Sequence, residues 1–190
     1  MDRFTIVSAD CHWGDSVAQY RQYMADKHLD DFDRLVGSLG EQGGGFEVFA
    51  AAMGDKSAEQ LEAYGFEDFE RRTKFAHGND NEVRLKELES DGIAGEVIFP
   101  NVVVPFSSSF AMTRTEHPVE LQLAGIRAYN RALADFIDTG RQVGLALVSY
   151  LDVDAAVEEI RWARSAGLRG ILVGSVEAGL PSLGLDPTYY

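Results

Sequence analysis

The sequence has a single cysteine, Cys11, so no disulfide bond can form within the chain. Basic residues are scarce, because 17 lysines and arginines stand against 31 aspartates and glutamates, which gives a net charge of -14. An acidic surface repels phosphate backbones, so we expect no nucleic-acid partner. No apolar run approaches the roughly 20 residues that a membrane helix needs. The N-terminus also lacks a signal peptide's basic and apolar regions, so we expect a cytoplasmic protein with no membrane partner.

The chain is short for some large folds. Its 190 residues suit one domain, which we expect to span 1–190. A complete (β/α)8 barrel, by contrast, typically takes ~250 residues. Hydrophobic residues make up 45% of the chain, which is enough for a sizeable core. This content excludes disorder of the whole chain.

Four short apolar runs alternate with helical patterns. The runs cover residues 4–9, 94–99, 144–150 and 170–174. Nearly continuous apolar runs are typical of strands that are buried on both faces of a parallel sheet. From the second run onward, strands alternate with helices, and this order requires parallel strands joined by crossovers. The pattern therefore predicts an α/β fold.

Helices are predicted in the gaps between these runs. Asn79 and Glu82 resemble a capping box that begins a short helix, and Gly92 ends it. Apolar residues at every third or fourth position predict a long helix over about 116–139, which Gly140 ends.

A further helix is predicted to begin near Asp152 or Asp154, where carboxylates favour the positive end of the helix dipole. Gly167 ends it. Its predicted buried residues are Val153, Val157, Ile160 and Ala163.

About 85 residues separate the first apolar run from the second. One crossover helix needs far fewer, so we expect an insertion of helical character over 15–80. Amphipathic patterns over 19–39 and 58–76 favour helices there. The glycines at 43–45 indicate a loop. A phosphate-binding loop requires a flanking lysine and a preceding strand, and this segment has neither in the predicted pattern.

The candidate functional residues lie in the segment 8–13 (SADCHW), at the end of the first predicted strand. In parallel α/β folds, ligands bind at the carboxyl ends of the strands. Asp10 and His12 are two positions apart, so in an extended segment both side chains point to one side. Carboxylate oxygen and imidazole nitrogen are suitable ligands for Zn²⁺ or Mn²⁺. Alternatively, Asp10 caps the next turn and His12 is a surface histidine.

Several stretches resemble the amidohydrolase-related proteins, in the same order along the chain. They are 7–12 (VSADCH), 84–100 (RLKELESDGIAGEVIFP), 128–136 (AYNRALADF) and 166–171 (AGLRGI). This branch of the amidohydrolase superfamily includes aminocarboxymuconate-semialdehyde decarboxylase and resorcylate decarboxylase.

The resemblance implies a (β/α)8 TIM-barrel type of fold with a divalent metal ion, most often zinc and in some cases manganese, at its C-terminal mouth. Asp10 and His12 correspond to the ligands from the first strand, in a variant with a carboxylate in the first position. The family also takes a histidine from the fifth strand and an aspartate from the eighth. Only about the first four βα units are expected in this chain, so we expect weak or no activity from it alone.

Other residues at the strand ends have two interpretations each. Asn101 follows the second strand and is a candidate substrate contact or an ordinary turn residue. Trp13 is a candidate wall of an aromatic substrate pocket or a packing residue. Cys11 is predicted to be a small core residue that points away from Asp10 and His12. The remaining histidines (His28, His77 and His117) are expected at the surface or at helix ends.

The resemblance implies a metal-dependent hydrolase or decarboxylase that acts on a small carboxylated or cyclic molecule, with no catalytic residue beyond the metal ligands assigned. The alternative is a non-catalytic α/β module for binding or assembly. An open half-barrel exposes strand edges and apolar surface, and such surfaces favour pairing into a homo-oligomer.

Overall fold

The computed structural model describes residues 4–14, 17–39, 80–100, 103–108 and 115–173. The strands are β1 (Ile6–Trp13), β2 (Ile93–Pro100), β3 (Val103–Val104), β4 (Ser107–Ser108), β5 (Gln142–Val148) and β6 (Gly170–Val173). The helices are α1 (Leu29–Leu39), α2 (Asn81–Ser90), α3 (Val119–Phe136) and α4 (Val153–Ser165), with 3₁₀ helices at Val17–Tyr23 and Asp26–His28. The predicted helix over 58–76, the glycines at 43–45 and most of the insertion over 15–80 lie outside the described residues.

A parallel sheet of four strands, in the order β1-β2-β5-β6, forms the centre of the fold. The predicted α/β class and the existence of the four predicted strands are therefore confirmed. β1, however, continues to Trp13 and is largely exposed, and it is not buried on both faces as predicted. Among the described residues the sheet is open, because no strand pairs with the outer edge of β1 or of β6. A small antiparallel hairpin of β3 and β4 was not predicted, and its turn contains Phe106 with a φ of 59°.

The helix boundaries follow from capping groups. The side chain of Asp80 caps α2 by accepting a hydrogen bond from the Val83 N–H, one position after the predicted Asn79, which lies outside the described residues. Asp152 caps α4 in the same way, as predicted. Gly92 and Gly167 adopt φ values of 75° and 93°, which suit glycine after a helix end.

The long helix α3 is shorter than predicted. It ends at Phe136 because Ile137 adopts an extended conformation, so Gly140 lies in the following turn and not at the helix end. Ile126, Tyr129 and Leu133, which belong to its apolar stripe, are in the core.

The buried face of α4 differs from the prediction. Val157 and Ile160 are 38% and 37% exposed, whereas Ala156 and Glu159 are buried, and Ala163 is buried as predicted. The buried face of α4 includes a polar contact with α3. Glu159 accepts hydrogen bonds from Arg131 (2.6 Å) and Asn130 (2.9 Å), and it forms the buried centre of this helix pair.

In the part of the chain that the structure describes, no helix is long and apolar enough to cross a membrane.

Candidate functional site

The exit of β1 contains a β-bulge. Ser8 pairs with Glu96 and Cys11 pairs with Ile98, so β1 uses three residue steps where β2 uses two. A bulge of this kind re-aims side chains and often lies beside a functional site. Here Ala9 and Asp10 are the residues of the bulge, and Cys11 separates them from His12.

The bulge leaves the side chains of Asp10 and His12 on one side of the strand. The distance between Asp10 Oδ1 and His12 Nε2 is 3.5 Å. Both side chains are open to solvent, with exposed fractions of 89% for Asp10 and 43% for His12. The structure therefore brings together the pair that the sequence singled out, at the carboxyl end of a strand in a parallel sheet.

A main-chain carbonyl orients the His12 ring. Nδ1 lies 3.1 Å from the carbonyl oxygen of Pro100, at the end of β2. Because a carbonyl only accepts hydrogen bonds, this contact places the proton of the neutral ring on Nδ1. Nε2 then carries a free lone pair on the side of Asp10. The ring also lies beside Phe99, with 6.0 Å between ring centroids.

The distance between the two donor atoms of this pair suits two ligands of one metal ion. Two ligands of a tetrahedral zinc ion, each about 2.1 Å from it, lie about 3.4 Å apart. The observed separation of Asp10 Oδ1 and His12 Nε2, 3.5 Å, is close to that value and is long for a direct hydrogen bond. The other ring nitrogen binds a carbonyl, as is usual for histidines that coordinate metals. Within the described residues, no group of three or more potential ligands forms.

A buried ion pair lies behind this site. Arg84 of α2 donates from Nε and Nη2 to the two carboxylate oxygens of Glu96, both at 2.7 Å. Its Nη1 donates to the carbonyl oxygen of His12 at 3.2 Å. The Glu96 side chain is fully buried and also accepts a hydrogen bond from Gln142 at 2.8 Å. One guanidinium therefore joins α2, β2 and the exit of β1.

The buried carboxylate stays ionised for a defined reason. Burial opposes ionisation of Glu96, but hydrogen bonds from Arg84 and Gln142 outweigh burial and hold the pKa of Glu96 below its ordinary value. The Cys11 thiol shows the opposite behaviour, since burial and the neighbouring Glu96 raise its pKa. Its Sγ donates to Ser8 Oγ at 3.1 Å, and the residue packs against the core. Cys11 is therefore a thiol on the core side of β1, as predicted.

The other residues singled out from the sequence are placed differently. Trp13 is 4% exposed and stacks on Phe136 of α3, on the opposite side of β1 from His12. Its role as a substrate contact stays a prediction, and Asn101 lies outside the described residues. His28 ends the 3₁₀ helix Asp26–His28, which agrees with the predicted helix-end position, but it is buried and not at the surface, and its Nε2 lies 3.6 Å from Glu120. His117 is half-buried and packs edge-on against Phe106.

Sequence reasoning did not assign a role to Arg84 or Glu96. Glu96 is the one charged residue in the apolar run 93–100, and it pairs with a residue of the preceding helix. A lone carboxylate in a buried strand requires a partner, because an unpaired buried charge is costly. This signal was available in the sequence, although it does not identify the partner.

No protein-family model matches the chain, and no curated protein matches it in sequence. The fold is similar to that of an amidohydrolase from Mycobacterium avium subsp. paratuberculosis K-10, with a TM-score of 0.56 and 13% sequence identity. The similarity covers 88% of this chain and 48% of the amidohydrolase, so the chain spans about half the length of that protein. The chain therefore shares the α/β fold of part of an amidohydrolase.

Proposed function

We propose that this chain is part of a metal-dependent enzyme of the amidohydrolase type, with Asp10 and His12 as ligands from its first strand. The observation that carries the proposal is the separation of 3.5 Å between Asp10 Oδ1 and His12 Nε2. The position of the pair, at the carboxyl end of a parallel strand, supports it further. Zinc is the preferred ion and manganese the second choice, because the donor set contains one nitrogen and one carboxylate oxygen.

A divalent ion bound there would act as a Lewis acid toward a substrate oxygen or toward water. The residues of this chain hold and orient the two donors. The Pro100 carbonyl keeps the His12 proton on Nδ1, so Nε2 is presented as a lone pair. Arg84 fixes the His12 main chain, and the Phe99 ring limits the space beside the imidazole.

The substrate proposed for this site is a small carboxylated or cyclic molecule, and the reaction is hydrolysis or decarboxylation. Support comes from the resemblance of four ordered stretches of the sequence to a branch with both chemistries, and from the fold shared with an amidohydrolase. Because the described residues supply only two donors, we expect weak metal binding and weak or no turnover by this chain.

Metal titration tests the proposal directly. Isothermal titration with Zn²⁺ and Co²⁺ should show one site per chain, and Co²⁺ should give the visible absorption of a bound ion. Asp10→Asn and His12→Gln should each weaken binding by about tenfold or more, because each removes a ligand from the ion. His117→Gln is the matched control, since this half-buried histidine lies on another part of the fold.

The titration has two results that would overturn the proposal. One is the absence of any bound ion at millimolar Co²⁺. The other is binding that Asp10→Asn and His12→Gln leave unchanged, since the ion would then be held elsewhere.

A second candidate is an assembly module that pairs with another copy of itself. Ile6 and Val7 on β1 are 53% and 55% exposed, and Ile171 on β6 is 40% exposed. These apolar side chains lie on the two outer strands of the sheet, where unpaired edges favour strand addition. Light scattering at micromolar concentration separates the candidates. A dimer that Ile6→Lys dissociates supports the module, whereas a monomer counts against it.

A further inference from the structure

A cavity of about 270 Å³ lies between α3 and the two 3₁₀ helices Val17–Tyr23 and Asp26–His28. One face of α3 forms a wall, because residues at a spacing of three or four positions share a helix face. The residues of that face used below are Glu120, Leu123, Arg127 and Arg131. The 3₁₀ segment contributes Ala25 and Lys27 to the other wall.

The lysine, arginine and glutamate side chains at this cavity leave a surplus of one positive charge. Lys27 pairs with Glu120, so these two charges cancel. Arg127 and Arg131 both face the carboxylate of Glu159, at 3.7 Å and 2.6 Å. One carboxylate cannot neutralise two guanidinium groups, which remain charged at all physiological pH values. The cavity therefore carries local positive charge in a chain whose net charge is -14.

The two arginines of this wall have donors that a ligand can reach. Their side chains are 41% exposed for Arg127 and 29% exposed for Arg131. The 3.7 Å contact of Arg127 with Glu159 is too long for a hydrogen bond, so its guanidinium has no hydrogen-bond partner among the described residues. Arg131 uses only Nη1, which donates to Glu159 and to a main-chain oxygen of α3. Its Cζ lies 3.8 Å from the centre of the Trp162 ring, and this stacking holds the guanidinium in place.

We propose that this cavity binds a small aliphatic monocarboxylate. The carboxylate accepts hydrogen bonds from Arg127 and Arg131, because guanidinium N–H groups match the two oxygens of a carboxylate. The alkyl chain lies against Leu123, which is one helix turn or about 6 Å from Arg127, and against the exposed Ala25.

Charge and size restrict the ligand further. The net charge of -14 repels a multiply charged anion such as phosphate more strongly than a singly charged one. The cavity is at the lower end of the size range for ligand sites, about 300 Å³ and above, so it suits a chain of a few carbons. This inference stands on different residues from the metal site and holds whether or not a metal binds.

The test compares sodium pentanoate with pentanamide, an uncharged molecule of nearly the same shape. NMR chemical-shift titration of the full chain, in buffer freed of divalent cations, should give a dissociation constant at least about fivefold lower for pentanoate, because the hydrogen bonds from arginine then act on a charge. Acetate should bind at least about threefold more weakly than pentanoate, since it lacks the alkyl chain. Sodium chloride keeps the ionic strength equal in all titrations.

Variants of one arginine locate the site. Arg127→Gln should weaken pentanoate binding by about fivefold or more, because it removes the guanidinium that has no hydrogen-bond partner among the described residues. Arg127→Lys keeps the charge but not the paired donors, and it should weaken binding by about twofold or more. Arg164→Gln is the matched control, because Arg164 is an exposed arginine of α4 outside the cavity lining. Asp10→Asn should also leave the affinity unchanged, since the metal site is elsewhere.

Equal affinity for pentanoate and pentanamide would overturn the proposal, and so would binding that Arg127→Gln and Arg164→Gln affect equally. A loss of affinity in Asp10→Asn would place the carboxylate at the metal site instead and overturn it too. If Arg127→Gln fails to fold, Arg127→Lys and the thermal stabilisation of the unaltered chain decide the question. Pentanoate at millimolar concentration should stabilise that chain more than pentanamide does, and the absence of any difference would overturn the proposal.

Discussion

Arg84 donates a hydrogen bond from Nη1 to the main-chain oxygen of His12, at a distance of 3.2 Å. The same guanidinium forms a bidentate pair with the buried carboxylate of Glu96. An interior ion pair is thus attached to the strand end that presents the candidate metal ligands. If the metal proposal holds, Arg84 is a positioning residue for His12, because it contacts the main chain and not the ion.

Arg84→Lys should weaken both the fold and the site. Lysine keeps the charge, but its single ammonium group cannot reproduce the planar contacts to Glu96 and His12 together. We expect a loss of unfolding free energy of about 1–3 kcal/mol, measured by urea denaturation. Affinity for Co²⁺ should fall by about tenfold, the usual effect of losing a group that supports a metal ligand.

Arg131→Lys is the control that separates an effect on the position of His12 from a general loss of stability. Arg131 forms a comparable pair with the buried Glu159, at 2.6 Å, and this pair joins α3 to α4 without contacting His12. Its replacement should lower stability while leaving Co²⁺ affinity within about twofold of the unaltered chain. Equal effects of the two variants on Co²⁺ affinity would show that Arg84 has no positioning role.

Glu96→Gln should change the pH dependence of stability. The pKa of Glu96 is lower in the folded chain than its ordinary value of 4.5, so the ionised carboxylate stabilises the fold above that pH. This contribution is lost as the pH falls through the folded-state pKa. In the variant, the slope of unfolding free energy against pH in the acid range should decrease, by at most about 1.4 kcal/mol per pH unit.

Glu120→Gln serves as the control for that titration. Glu120 pairs with Lys27 at the surface, and hydrogen bonding to Lys27 also lowers its pKa. Solvent screens such exposed pairs, so its replacement should alter the acid slope less than Glu96→Gln does. The reverse order would contradict the assignment of Glu96 as the stabilising carboxylate.

Gly125→Ala should destabilise the protein although alanine favours helices. A Cβ atom at Gly125 of α3 would lie 1.7 Å from the main-chain oxygen of Pro105, closer than atoms can approach. The backbone must therefore shift, and we expect a loss of at least about 2 kcal/mol in urea denaturation. Gly37→Ala in α1 is the control, since its Cβ meets nothing within 4 Å. That variant should gain up to about 1 kcal/mol.

Asn130→Asp should disrupt the junction of α3, α4 and β5. The Asn130 side chain accepts from the Leu147 N–H at 2.8 Å and donates to the Leu147 carbonyl and to Glu159, both at 2.9 Å. A carboxylate cannot donate these bonds and would face Glu159 with like charge, so we expect a loss of about 3 kcal/mol at neutral pH. Part of the loss should be recovered in mild acid, where protonation restores a donor. A loss that is independent of pH would contradict the charge explanation.

Local sequence patterns predicted the strands of the sheet and several helix ends. The four apolar runs became the four parallel strands, and Asp152, Gly92 and Gly167 marked helix ends as predicted. These features depend on local signals, such as capping residues and hydrophobic periodicity, that involve only neighbours in sequence. The exposed Val157 and Ile160 show the limit of periodicity, since the buried face of α4 includes Glu159, which pairs with Arg131 of α3.

The sequence by itself determined that Asp10 and His12 lie toward the C-terminal end of the first strand of a parallel α/β fold, because hydrophobic patterning is local. Only the tertiary structure decided their geometry. The bulge opposite β2, the Pro100 carbonyl at His12 Nδ1 and the Arg84 contact all come from segments more than 70 positions away in sequence. The same holds for Trp13, whose stacking partner Phe136 belongs to α3. Strand register and helix packing set these contacts, and a single sequence does not encode them as a local pattern.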